Sequence, residues 1–310
     1  MTPQLSPTRP TVDLATADWH RTPDGLAVCS IGTGPPLLLM PYPHAVSVVG
    51  DPSLHLLLQH LAALGRRVVT FDPPGSGRST RPMRLGMPEM LACAGEALAV
   101  AAVEGAVEVV GHSQGGVAAL AFALERPDRV QRLVLVGTSA GGPSYFRAPG
   151  AIWNRTHRDY WRMGLWGLIY RLTGRRAPAL RMLNVIARAS WVDRSSFRPR
   201  PVVPRDWLYP APRRLAWGLL ARHLDYRRRL GDVRAPTLIL VGRHDPQMPP
   251  ACAEELARGV PDARLVVLER SGHYPFLEEP DAFWRAVGDF LADPDPRTAA
   301  AGHRVTGSGT

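Results

Sequence analysis

Short apolar runs alternate with longer amphipathic ones along most of this chain. Residues 26–31 and 36–40 have the β-branched and aliphatic content of strands, separated by the turn Gly32-Thr33-Gly34-Pro35. A helix is expected over 52–64, with Asp51 as its N-cap and Gly65 as its stop. Next come a strand at 68–71, a one-sided apolar helix at 87–103, a strand ending near residue 110, an alanine-rich helix at 117–124 and a strand at 132–136. The alternation resumes with a strand at 237–241, a helix at 251–258, a strand at 264–268 and a last helix at 280–291. Strands that are apolar throughout are buried on both faces. The pattern therefore predicts an α/β fold with a mostly parallel twisted sheet and helices on both sides.

The intervening segment breaks this rhythm. It reads as short helices interrupted by prolines, and it holds six of the eight tryptophans: Trp153, Trp161, Trp166, Trp191, Trp207 and Trp217. We expect a core over 21–140 and 232–292, with residues 141–231 as a helical cap inserted at the carboxyl edge of the sheet, where such sheets bind ligands. Residues 1–20 are expected to form a disordered leader and 293–310 a disordered tail.

One stretch carries a specific chemical signal. The apolar run Val107-Glu108-Val109-Val110 passes through Gly111-His112-Ser113-Gln114-Gly115 into the alanine-rich helix. A serine flanked by glycines between a strand and a helix is the layout of a nucleophile elbow. The hydroxyl of Ser113 is lifted above the sheet beside the first amides of a helix, which have no intrahelical acceptor. A nucleophilic serine needs a base, and the base an orienting acid. Asp245 follows the strand at 237–241, and His273 follows the strand at 264–268. The order Ser, Asp, His, each at the carboxyl end of a strand, is that of the α/β-hydrolase triad.

With these motifs in place the chain resembles the α/β-hydrolase superfamily over about residues 26–291. The likeness is to the branch with a helical cap that includes proline iminopeptidases, esterases and carbon–carbon bond hydrolases. The turn carrying Gly75, Gly77 and Ser79 resembles the loop after that branch's fourth strand, and Gly272-His273-Tyr274-Pro275-Phe276 its histidine loop. The resemblance implies Ser113 as nucleophile, His273 as general base and Asp245 as the acid that holds its tautomer. Relatives that open epoxides or remove halide use an aspartate at the elbow, so a serine there implies acyl chemistry. Relatives usually carry His-Gly-x-Pro after the third strand, with the x amide completing the oxyanion hole; this chain has Met40-Pro41-Tyr42-Pro43. Aligning Pro43 with the family's proline implies the backbone amides of Tyr42 and Gln114 as donors, with His44 in reserve for the first. His112 is expected to be a packing residue, His244 a loop residue, and Asp72 a brace for its Gly-rich turn.

Composition refines this picture. The chain has 310 residues and a net charge of +10, and all 37 basic residues are arginine. Between Arg147 and Arg234 there are 20 Arg, 5 Asp and no Glu, a net +15, whereas the rest of the chain carries 17 Arg against 22 acids, a net −5. The basicity belongs to the cap. A cap without glutamate counts against an aminopeptidase that holds an ammonium group. It suits a largely hydrophobic, anionic small molecule met by Trp161, Trp166, Tyr274 and one or two arginines. No groove-reading motif for nucleic acid accompanies the basic segment. Residues 160–171, apolar with flanking arginines, admit contact with a membrane surface, although Gly164 and Gly167 weaken it. The three scattered cysteines suggest neither disulfides nor a metal site, and no cofactor is expected. The polar start of the chain, without an apolar h-region, sets cytoplasmic as the expected location.

The leading expectation is a serine hydrolase cleaving an ester through an acyl-enzyme. Amide hydrolysis, carbon–carbon cleavage and acyl transfer use the same triad. A catalytically silent ligand-binding module is the alternative of a different class.

Overall fold

The computed structural model describes residues 16–43, 48, 51–84, 86–193 and 220–293. The strands are β1 (Asp18–Arg21), β2 (Ala27–Ile31), β3 (Pro36–Met40), β4 (Arg67–Asp72), β5 (Val107–His112), β6 (Val130–Val136), β7 (Thr237–Gly242) and β8 (Ala263–Leu268). The helices are α1 (Pro52–Ala63), α2 (Met87–Val100), α3 (Gln114–Glu125), α4 (Gly142–Arg147), α5 (Tyr160–Thr173), α6 (Arg176–Ala189), α7 (Pro250–Gly259), α8 (Pro275–Glu278) and α9 (Pro280–Ala292).

All eight strands join one sheet in the order β1-β2-β4-β3-β5-β6-β7-β8. The five pairings from β4 to β8 are parallel, and β2 runs antiparallel to both β1 and β4. β5 is buried at all six positions, Glu108 among them.

The leader expectation needs correction at its end, because the sheet begins at Asp18. β1 is an edge strand whose Asp18, His20 and Arg21 are exposed, so it lacks the apolar pattern by which strands are recognised. Trp19 of this strand lies under the guanidinium of Arg78, 4.2 Å from its ring centroid. Residues 294–310 lie outside the described part of the chain.

Apolar cores cover both faces of the sheet. One joins α2, α3 and α7 to the sheet, with Met90, Leu98, Leu120, Phe122 and Leu256 buried. The other joins α1 and α9, with Leu54, Leu58, Phe283 and Val287 buried. Each such side chain contributes about 2 kcal/mol by leaving water. The N-terminus of α1 is capped by the Asp51 carboxylate, which accepts from Ser53 N at 2.9 Å and Leu54 N at 3.2 Å.

Far from the elbow, on β5, buried Glu108 sits between Arg66 at 2.6 Å and Arg132 at 3.7 Å. Both arginines also donate to backbone carbonyls at the end of α9, those of Leu291 and Asp293. This charged cluster fastens the last helix to the sheet.

The insertion between β6 and β7 begins with α4, and α5 and α6 form a hairpin. α5 stops at Gly174, which takes the left-handed conformation (φ 62°). Tyr145, Ala148 and Ala151 pack on Met248 and Cys252, seating the base of the insertion against α7.

Candidate active site

Each candidate residue lies where a strand ends. Ser113 sits between β5 and α3 with φ 53° and ψ −126°, a conformation that costs a side-chain-bearing residue free energy and survives only where its surroundings fix it. Its N–H extends the sheet ladder to Val136 O at 2.9 Å, and its carbonyl accepts from Thr138 Oγ1 at 2.6 Å. The glycines of the elbow have steric reasons. A methyl group on Gly111 would strike the backbone of Gly115; one on Gly115 would strike Met40 O; one on Gly116 would strike the Thr138 side chain. The loop after β3 therefore lies directly against the first turn of α3.

Asp245 and His273 meet after β7 and β8, with His273 Nδ1 and Asp245 Oδ2 2.7 Å apart and both residues buried. The other carboxylate oxygen, Oδ1, accepts from Gln247 N at 2.7 Å and Met248 N at 3.0 Å, which fixes the carboxylate plane. Gly137, at φ 48°, turns the chain beneath this pair.

The histidine loop is held against the elbow by His112. His112 Nε2 lies 2.9 Å from His273 O, and a carbonyl can only accept, so Nε2 carries the proton. Nδ1 then accepts from the Tyr42 hydroxyl. Complete burial and the neighbouring His273 keep the imidazole neutral, its pKa well below the usual histidine value. Its ring lies 4.7 Å from that of His273 and meets Phe276 edge-on at 5.2 Å. His112 is packed, as expected, and also joins the loops that carry Tyr42 and His273.

Tyr42 is buried in the loop that crosses α3, and its side chain points to His112. Gln114 is the first residue of α3, and its side chain bonds to the Tyr145 hydroxyl; burial pushes that phenol up to about 12. His44 lies outside the described residues. Asp72 accepts from Arg78 N at 2.7 Å and Val48 N at 2.8 Å, and so braces its own turn and the loop after β3 together.

The aromatic substrate residues fare unequally. Tyr274 lies 5.2 Å from His273 ring to ring. Trp166 is covered by the Arg181 guanidinium at 4.5 Å, an intramolecular stack within the α5–α6 hairpin. Trp161 is 70 % exposed and does not line a buried pocket, because the composition of the cap, which suggested it, does not say which face is turned inward. Trp191 was not singled out by its sequence, yet its ring lies 6.0 Å from that of Tyr274. Among the described residues no cluster of three or more His, Cys, Asp or Glu is arranged to hold a metal, and no helix is long and apolar enough to cross a membrane.

The sequence profile of the alpha/beta hydrolase fold matches residues 49–280, about three quarters of the chain. The chain belongs to the α/β-hydrolase fold family. It is an enzyme of the hydrolase class. It is 32 % identical over 273 residues to a 2-hydroxy-6-oxononadienedioate/2-hydroxy-6-oxononatrienedioate hydrolase of Cupriavidus pinatubonensis, covering 84 % of this chain and 89 % of that one. A pimeloyl-[acyl-carrier protein] methyl ester esterase of Nitrosomonas europaea is 29 % identical over 264 residues, covering 81 % and 94 %. An alpha/beta fold family hydrolase from Bacillus anthracis superposes with a TM-score of 0.74 at 22 % identity, over 88 % of this chain and 98 % of that one. That last likeness concerns the fold.

Proposed function

We propose that this hydrolase attacks an acyl carbon of a small, largely hydrophobic, anionic substrate with the Ser113 hydroxyl and forms a covalent acyl-enzyme. The observation that carries the reading is the buried Asp245–His273 pair at the same edge of the parallel sheet as an elbow serine held at positive φ. With Nδ1–H donated to Asp245, the tautomer leaves a lone pair on Nε2 to take the Ser113 proton. As the Ser113 Oγ–carbon bond forms, the carbonyl oxygen gains negative charge. Backbone N–H groups of Gln114 and of Tyr42 are the donors we assign to it. Collapse expels the leaving group, which receives the proton from His273. Water, deprotonated by His273, then releases the acid and restores Ser113. No cofactor is needed for this cycle.

The bond broken is an ester in the first reading. Carbon–carbon cleavage is the second, favoured by the names of several relatives. Besides that of Cupriavidus pinatubonensis, a 2-hydroxy-6-oxo-6-phenylhexa-2,4-dienoate hydrolase of Burkholderia cepacia is 30 % identical over 246 residues. Such a 6-oxo-dienoate contains no ester, and its leaving group would be a delocalised carbanion that takes its proton at carbon. An anionic substrate also suits Arg222. Its guanidinium lies 4.8 Å from the centroid of Phe146 and offsets part of the rise that burial imposes on the Tyr145 phenol, which bonds to Gln114.

A panel of nitrophenyl esters, lactones and a 2-hydroxy-6-oxo-dienoate would test the reading, with fluorophosphonate labelling of Ser113 alongside. We expect turnover of one class and a loss of at least about 1,000-fold in Ser113→Ala. Wild-type protein that neither turns over the panel nor labels would overturn it. Arg222→Ala should raise KM for an anionic ester about tenfold and leave a neutral ester of equal size unchanged. A clear preference of the wild type for neutral esters would remove the anionic substrate.

A further inference from the structure

The backbone N–H of His273 is not bonded within its own loop. It donates to Ser190 O at 2.9 Å, and Ser190 is the residue that ends α6 of the cap. The neighbouring Gly272 shows how close this approach is, since a methyl group there would overlap that same carbonyl oxygen. No backbone conformation reserved for glycine is involved at this position; the cap backbone occupies the space.

Two residues farther along the cap, Val192 N donates to Glu278 Oε1 at 2.8 Å. Glu278 Oε2 accepts from Gly272 N at 2.7 Å, and the Tyr274 N–H also bonds to this carboxylate. One carboxylate on α8 thus gathers N–H donors from the cap and from both sides of His273. The loop of Asp245 is bonded to the same cap segment, because Gln247 Nε2 donates to Ser190 Oγ at 2.9 Å. It is bonded to the entry of the insertion too: Ile152 N donates to Pro246 O at 2.6 Å and Trp153 Nε1 to Gln247 O at 2.9 Å. Two separate stretches of the cap, Ile152–Trp153 and Ser190–Val192, are therefore bonded to the loops that carry the acid and the base.

We propose that Glu278 is a positioning residue, which clasps the cap segment at Ser190–Val192 onto the histidine loop so that His273 is in place only while the cap is seated. This rests on the reading of His273 as the base. Glu278 touches neither substrate nor the reacting atoms; it acts through the loop that bears the imidazole. Glu278→Gln keeps the shape but turns an NH2 group toward at least one of the three N–H donors, so one side of the clasp is lost. Alanine at 272 drives a methyl group against Ser190 O and wedges the cap away from the loop.

The test compares wild type, Glu278→Gln, Gly272→Ala and, as a control on the same loop, Arg270→Ala, whose side chain is on the surface. Two readouts are taken from folded protein: hydrogen exchange of the His273 amide, and the rate constant for labelling of Ser113 by a small fluorophosphonate. The acceptor of the His273 amide is Ser190 O, which the Glu278 substitution leaves chemically intact, so faster exchange there reports loosening of the cap. We expect exchange at His273 to rise at least tenfold in Glu278→Gln, with amides of α3 unchanged. Labelling and kcat should fall tenfold or more while KM for a short ester stays within twofold, and Arg270→Ala should match wild type. Glu278→Gln with wild-type exchange at His273, or with wild-type labelling, overturns the proposal, whether or not Gly272→Ala folds. Wild-type protein that fails to label would instead remove the reading of Ser113 as nucleophile, and the exchange measurement would still decide the clasp.

Discussion

His112 and Glu278 occupy positions whose importance no motif announces. His112 lies within the elbow, where its identity looks incidental, but its two ring nitrogens join the Tyr42 hydroxyl to the His273 carbonyl. Glu278 and Glu279 are adjacent identical residues in sequence, and only geometry separates them. Glu279 binds Arg270 N and Ser271 Oγ, whereas Glu278 reaches the cap. Burial pushes the Glu278 carboxyl up from 4.5 to about 7 against the opposing effect of its backbone donors, and nearby Asp245 adds to the rise. A carboxyl whose folded-state pKa is raised contributes stability that is fully present below the unfolded value of 4.5 and lost as pH rises toward 7. Glutamine does not titrate. Urea denaturation from pH 4 to pH 8 should therefore show wild type losing about 3 kcal/mol relative to Glu278→Gln across that window. A difference independent of pH would contradict this. A carboxylate that lowers stability at neutral pH is in keeping with a role in positioning.

At the scale of elements, the elbow was the most legible part of the chain, because its glycines answer to backbone crowding that the motif itself records. α3 approaches β6 so closely that Gly116 faces the Thr138 side chain, whose hydroxyl is already committed to Ser113 O. Gly116→Ala should cost about 2 kcal/mol in urea denaturation. It should also slow fluorophosphonate labelling, since the strain is relieved by moving Ser113. The cap was less legible. Its tryptophans and arginines were visible as composition, but composition does not fix facing. Arg181 is spent on Trp166, Trp161 faces outward, and Trp191, the cap tryptophan that reaches Tyr274, had no distinguishing pattern. Trp207 and Trp217 lie outside the described residues.

Across the whole molecule, the alternation of buried strands and amphipathic helices was enough to place the sheet, its helices and the three strand ends that carry Ser113, Asp245 and His273. It missed β1, because an exposed edge strand has no apolar period. It also gave no sign of Glu108, a charged residue in an apolar run whose partners Arg66 and Arg132 lie on other strands or their flanks. Pairings distant in sequence have no local signature. Glu108→Ala would take the shared carboxylate from buried Arg132 and part-buried Arg66 and should destabilise the fold by about 3 kcal/mol, read as a lower urea midpoint. The cluster lies at the opposite end of β5 from Ser113, so labelling of the folded variant should match wild type.

Inserted segments in a fold of this kind invite treatment as exchangeable attachments, to be trimmed away or traded between relatives to alter substrate choice. The bond from His273 N to Ser190 O argues against that treatment here. Cutting out the insertion deletes an acceptor needed by the histidine loop, and a transplanted one would have to present a backbone carbonyl at the same point opposite Gly272. In this chain the unit of modular exchange is the insertion together with the loops beneath it.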